Sequence, residues 1–227
     1  KRQGGISIKE VFSDIIVEAP LGSRTKLTLP DGTLVWLNAG SRITYSQGFG
    51  VGNRKIELIG EGYFEVKRNE EVPFLVKTNS LLVKVLGTKF NFRDYPDDAE
   101  AIVSLSEGKV ALNNLLKKEK EAFLLPNERV VLNKKNGRMH VEYSTVSNAL
   151  QWTNGYLFFD EELLPDVVKE LERSYNVKIQ IASDTLNTFR FYGNFVHREQ
   201  NIQEVLEALS ATRKIHYIIE GHNITLY

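Results

Sequence analysis

The residues of this chain that could do chemistry are few and scattered. His140, His197, His216 and His222 are the only histidines, and none stands at a ligand spacing such as H-x-x-x-H or H-E-x-x-H. Surface or edge positions explain them more simply than a metal centre, so no metal ligand is assigned. The 227 residues include no cysteine, which excludes zinc ribbons, disulfide scaffolds, thiol catalysis and iron–sulfur ligation. Gly48-Phe49-Gly50-Val51-Gly52 has the composition of a phosphate loop. A dinucleotide fingerprint must follow a strand and open a helix, however, and this one precedes the extended segment RKIELIG (54–60). It reads as a glycine-rich hairpin loop. Glu57, Glu61, Glu65 and Glu107 supply carboxylates, and glycoside hydrolysis needs two that face each other. That possibility keeps a glycan-binding or glycan-active β-sandwich protein as the rival reading. No Ser/His/Asp order and no nucleophile elbow occurs, so triad hydrolysis has no support. Gly87-Thr88 sits between LLVKVL and KFNFR and reads as a glycine-hinged turn or bulge. Neither a cofactor nor an enzymatic activity is expected.

The elements that must position these residues change character along the chain. TKLTL (25–29), TLVWL (33–37), RKIELIG (54–60), GYFEVKR (62–68), PFLVK (73–77), LLVKVLG (81–87), KFNFR (89–93), AIVSLS (101–106), KVALNN (109–114) and RVVLN (129–133) alternate apolar with polar or are short apolar runs. Turn signals recur between them, with Asp31-Gly32 and Asn136-Gly137 the sharpest. This spacing predicts an antiparallel β-sandwich or jelly-roll-like domain over 1–150. Trp36, Tyr63, Phe64, Phe74, Phe90 and Phe92 are its expected packing aromatics. Near residue 160 the period lengthens. Leu163, Leu164, Val167, Val168 and Leu171 predict one helix, with Asp160, Glu161 and Glu162 just ahead and Pro165 in its first turn. Ile202, Val205, Leu206 and Leu209 predict a second, opened by Asn201 and Glu204 at capping-box spacing. A shift of 38 maps Val167 to Val205, Val168 to Leu206, Leu171 to Leu209, Val177 to Ile215 and Ile181 to Ile219. Two strand–helix–strand units therefore form a small two-helix α+β domain over 151–227, both helices on one face of a sheet. The end, YIIEGHNITLY, reads as a hairpin.

Composition narrows the function classes. Basic and acidic residues balance at 29 each, which removes the electrostatic case for a nucleic-acid binder. Hydrophobic residues at 42% and charged residues at 26% mark a globular chain rather than a disordered one. The first residue is Lys1, and the chain reads as a fragment of something longer.

From LPDGTLVWLN (29–38) onward the sequence resembles the periplasmic part of FecR-type anti-sigma regulators. The resemblance continues through ELIGEGYFEV (57–66), PFLVKT (73–78), VLGTKFNFRDYPDD (85–98), SEGKVAL (106–112), LLPNERVVL (124–132), QWTNGYLFFDEE (151–162) and ELERSYNV (170–177). Gly62 and Ser174 stand where the family pattern usually has Ala and Trp. The repeated end also resembles the short N-terminal domain of secretins and TonB-dependent transporters. The resemblance implies the periplasmic region of a single-pass inner-membrane protein. Such a region senses the signalling domain of an outer-membrane TonB-dependent transporter. It controls an extracytoplasmic-function sigma factor through a cytoplasmic segment absent from this chain. Some relatives cleave themselves at a Gly-Thr bond, and Gly87-Thr88 matches; an intact turn is the preferred reading here. The expected docking edges are TFRFYGNF (188–195) and NITLY (223–227), with Phe189, Arg190, Phe191, Tyr192, Asn223, Thr225 and Tyr227 as partner-binding candidates.

Overall fold

The computed structural model describes residues 13–227. Its first unit is built from β1 (Asp14–Ala19), β2 (Thr25–Thr28), β3 (Leu34–Leu37), β4 (Ser41–Ser46), β5 (Arg54–Glu65), β6 (Phe74–Lys77), β7 (Leu81–Val85), β8 (Lys89–Asp94), β9 (Glu100–Glu107), β10 (Val110–Asn114), β11 (Ala122–Leu124), β12 (Glu128–Asn133) and β13 (Met139–Tyr143). A short helix, α1 (Val146–Ala149), and a 3-10 turn (Gln151–Asn154) lead onward. The second unit follows as β14 (Tyr156–Leu163), α2 (Leu164–Tyr175), β15 (Lys178–Ile181), β16 (Arg190–Val196), α3 (Ile202–Ser210), β17 (Tyr217–Glu220) and β18 (Asn223–Leu226). The expected fold class holds: a large β unit precedes a small α/β one.

Two segments that read as separate strands, 54–60 and 62–68, are one strand. The first half of β5 pairs with β4 and β6, and its second half with β3 and β8. One sheet thus runs β1-β4-β5-β6-β7-β10-β11 and the other β2-β3-β5-β8-β9-β12-β13. The changeover falls at Gly60, whose φ of +95° lies outside the range open to ordinary L-residues. A Cβ there would stand 2.9 Å from the Ser41 Cα, so the neighbouring backbone also demands glycine. Pairing is antiparallel throughout this unit except for β5 with β6, which is parallel.

Alternation decides which side chains enter the core. Phe64, Phe74, Phe90 and Phe92 are completely buried, and Phe64 stacks on Phe90 at 5.1 Å between centroids. Removing each from water contributes about 1.5–3 kcal/mol. Trp36 departs from expectation. Val35 and Leu37 point inward, so Trp36 must point outward. It lies half-buried against Tyr63 at 5.3 Å, with the Lys26 ammonium 4.4 Å from its ring centroid.

In the second unit, Val167, Val168 and Leu171 of α2 and Val205, Leu206 and Leu209 of α3 are all buried in one cluster, as the 38-residue repeat requires. Asn201 caps α3 and Glu204 returns the bond, completing the capping box. Asp160, Glu161 and Glu162 stand just ahead of α2, as the end of β14, with a bulge between Phe159 and Glu162. Two expectations fail here. The single sheet is two: β14 pairs with β16, and β15-β18-β17 forms a separate three-stranded sheet. The terminal strand is not an edge. The tight turn at Gly221 folds β18 back along β17, and β18 comes to rest between it and β15, so both its sides are paired.

Candidate functional site

The four carboxylates that the rival glycan-active reading would use do not gather. Glu57 is exposed, Glu65 meets the Tyr63 hydroxyl, and Glu107 pairs with Lys89 at the surface. Glu61 alone enters the interior, and it enters a charge cluster that joins the two units. Its Oε1 accepts from the Asn91 amide at 2.8 Å and its Oε2 from the Asn38 amide at 2.9 Å. The same Asn38 nitrogen lies 3.4 Å from Glu170 Oε1 of α2. Arg93 reaches across: its Nη1 lies 3.1 Å from Glu170 Oε2 and 3.5 Å from Glu61 Oε2, while its Nε donates to Asp98.

Helix α2 brings the other half. Glu170, Arg173 and Ser174 follow Val167 at helical spacing and share its inward face, where all three are buried. Arg173 contacts Glu170 at 3.3 Å and Asp98 at 3.2 Å, and its guanidinium lies 3.9 Å from the Tyr95 ring centroid. The hydroxyl of Ser174 donates to Glu170 Oε1 at 3.4 Å. The Trp152 indole donates to Asn91 at 3.1 Å, anchoring the connecting segment. Beyond the cluster, the backbone N–H of Gly22 donates to the Arg173 carbonyl at 2.7 Å, tying the turn after β1 to the end of α2.

The two carboxylates titrate oppositely. Burial pushes both upward, and for Glu61 it prevails over its single arginine. Arg93 and Arg173 together overcome it for Glu170, which is held down at about 2. A split of this kind accompanies acid–base catalysis in many enzymes. Here each carboxylate oxygen accepts a hydrogen bond, and Arg93 and Asn38 each contact both side chains, so the arrangement joins the two units. Asn38, Glu61, Asn91, Arg93 and Glu170 help line a cleft of about 450 Å³, together with Arg129, Tyr143, Tyr156 and Phe158.

The remaining expected residues are dispersed. His140 and His222 are exposed, and His216 lies 5.7 Å from the Tyr227 ring. His197 is half-buried: its Nε2 lies 2.6 Å from the Ser174 carbonyl and its ring packs on Tyr175, with burial pushing its pKa down. No cluster with metal-binding composition occurs among the described residues. The 48–52 loop joins the antiparallel β4 and β5, as a hairpin loop should. Of the docking candidates, Phe191 is buried, Phe189 half-buried, and Arg190 and Tyr192 exposed on β16. Asn223 and Thr225 lie on the central β18, with Tyr227 just beyond it.

Gly87-Thr88 forms the connection between β7 and β8. The Thr88 hydroxyl is buried and donates to the Lys109 carbonyl at 3.1 Å, and Gly108, at φ +95°, closes over it. Attack on the Gly87 carbonyl needs that hydroxyl free and assisted by a base, and no hydrogen bond joins it to a titrating side chain. Intact-mass spectrometry is expected to give one species near 25.9 kDa. Two fragments meeting at 87/88, abolished by Thr88→Ala, would contradict this reading.

Buried charge thus fastens a β-rich unit to a small α/β unit that leaves strand edges open. The FecR protein model matches residues 16–111 and the FecR C-terminal model residues 156–226. No curated protein matches the chain. Two crystal structures of an anti-sigma factor candidate from Parabacteroides distasonis superpose closely, each at 33% identity. One covers 94% of this chain and 98% of its own, with a TM-score of 0.85; the other covers 95% and 99%, with 0.86. The chain belongs to the FecR family of anti-sigma factors.

Proposed function

We propose that this chain is the periplasmic sensor region of a transmembrane anti-sigma regulator. It relays the state of an outer-membrane TonB-dependent transporter to an extracytoplasmic-function sigma factor. We further read it as two domains, 1–150 and 151–227, meeting near 147–155, a division supported by two separate hydrophobic clusters. The observation that carries the relay is the charge cluster: a contact made on the C-terminal unit acts on a helix whose buried face is ionically bound to the β unit. The partner of that unit is the transporter's N-terminal signalling domain, bound at least partly by strand addition. Calorimetric titration of this chain with the isolated signalling domains of the same cell's TonB-dependent transporters is expected to give a one-to-one complex with one of them. Absence of binding to all of them would overturn the reading.

A further inference from the structure

Resting on that reading, we infer that the partner strand docks on the outer edge of β17, residues Tyr217–Glu220, and that it is apolar at alternate positions. The argument begins with the ladder. His216 and Tyr227 exchange both backbone hydrogen bonds, N to O at 2.9 Å and 3.0 Å. In an antiparallel pair such residues alternate with non-bonded pairs. Ile218 with Thr225 is therefore the next bonded pair, and Tyr217 with Leu226 and Ile219 with Ile224 are the non-bonded ones. The N–H and C=O groups of Tyr217 and Ile219 consequently point away from β18, and no strand of the described residues lies on that side.

The side chains tell the same story. Ile219 stands in register with Ile224, which is buried at 2%, yet Ile219 is 39% exposed. Its counterpart in the first repeat, Ile181, is packed against the core. The second repeat thus ends on an unfinished inner face, and Ile218 adds apolar surface on the outer one at 50% exposure. An added strand would satisfy two backbone donors and cover Ile219 together. The free edge of β16 offers less, because its inward Phe191 and Phe195 are already buried at 6% and 5%. The outer side of β15 also offers less, because its outward Ile179 N–H already donates to Glu172 Oε1 at 2.8 Å.

Charge specifies the occupant further. Arg213 and Lys214, both exposed, precede the edge, and Glu220 closes it. The complementary segment carries an acidic residue at the end nearest Lys214 and a basic one nearest Glu220. A second copy of this chain laid antiparallel on this edge would also bring Glu220 toward Lys214, and the oligomeric state of the free chain tests that occupant.

Ile219→Pro tests the edge directly. It removes the outward N–H and leaves the bonded pairs of β17 with β18 intact. Titrated with the signalling domain that binds wild-type chain, Ile219→Pro should bind at least tenfold more weakly, whereas Tyr192→Ser on β16 should bind within about twofold of wild type. Amide hydrogen exchange on the wild-type chain serves as a readout independent of any folding defect. The amides of Tyr217 and Ile219 should exchange fast when free and become protected in the complex. Equal binding by Ile219→Pro, or unchanged exchange at both amides, would overturn the edge while leaving the transporter reading in place. Dimerisation of the free chain that protects these amides would also overturn it. Failure of every signalling domain to bind wild type would bring down the transporter reading itself.

Discussion

Glu170→Gln is expected to cost about 3–5 kcal/mol of stability at neutral pH, the usual penalty for removing one partner of a buried ion pair. The substitution strips the shared anion from between Arg93 and Arg173, whose Nε already lacks a partner. Glu61→Gln should cost much less, about 1–2 kcal/mol, because burial already disfavours its charge and the amide keeps one acceptor for Asn91. Their pH dependences differ in sign. The depressed Glu170 contributes stability that is complete above its unfolded pKa of about 4.3 and is lost as pH falls through about 2. The raised Glu61 contributes stability that is complete below about 4.3 and is lost as pH rises through its folded pKa. Urea midpoints measured between pH 2 and 8 should therefore show a flattened acid limb in Glu170→Gln and a flattened upper limb in Glu61→Gln. Equal losses from both substitutions at neutral pH would refute the unequal roles assigned to them.

Gly60→Ala should be comparably damaging, at about 3 kcal/mol or more. A residue with a side chain is strained at φ +95°, worth about 1–3 kcal/mol. The new Cβ also presses on Ser41, an overpacking of similar size. Ser41 cannot yield freely: its hydroxyl accepts from the Glu61 N–H at 2.8 Å and donates to the Tyr95 hydroxyl at 3.1 Å. Thermal unfolding of the variant is the measurement, and a melting temperature within about 2 °C of wild type would show that the strand can change sheets without glycine.

Much of this architecture was legible in advance because alternation and turn residues are local. β2, β3, β6 to β10 and β12 all stood where period-two patterning put them. β1, β4, β11 and β13 were missed, being short, edge-placed or interrupted by polar residues on both faces. The conformation that Gly60 adopts has no sequence signature, so one strand was read as two. The charge cluster was less visible still, since Asn38 and Glu170 meet across 132 residues. One signal was available. Glu170 and Ser174 fall three and seven residues after Val167, on the apolar stripe of α2, and polar residues on such a stripe need buried partners.

The double membership of β5 has a kinetic side. On a growing chain β1 can pair with β4, and β2 with β3, before anything further is made. These two early pairings share no strand ladder until a single twelve-residue segment follows and clasps β4 with one half and β3 with the other. Every later strand then adds outward from that segment through β6 or β8. Assembly of the whole β unit is gated by one element that must acquire four neighbours, two of them not yet synthesised when it emerges. Its slow step is accordingly non-local, which places its folding in the millisecond-to-second range typical of β topologies.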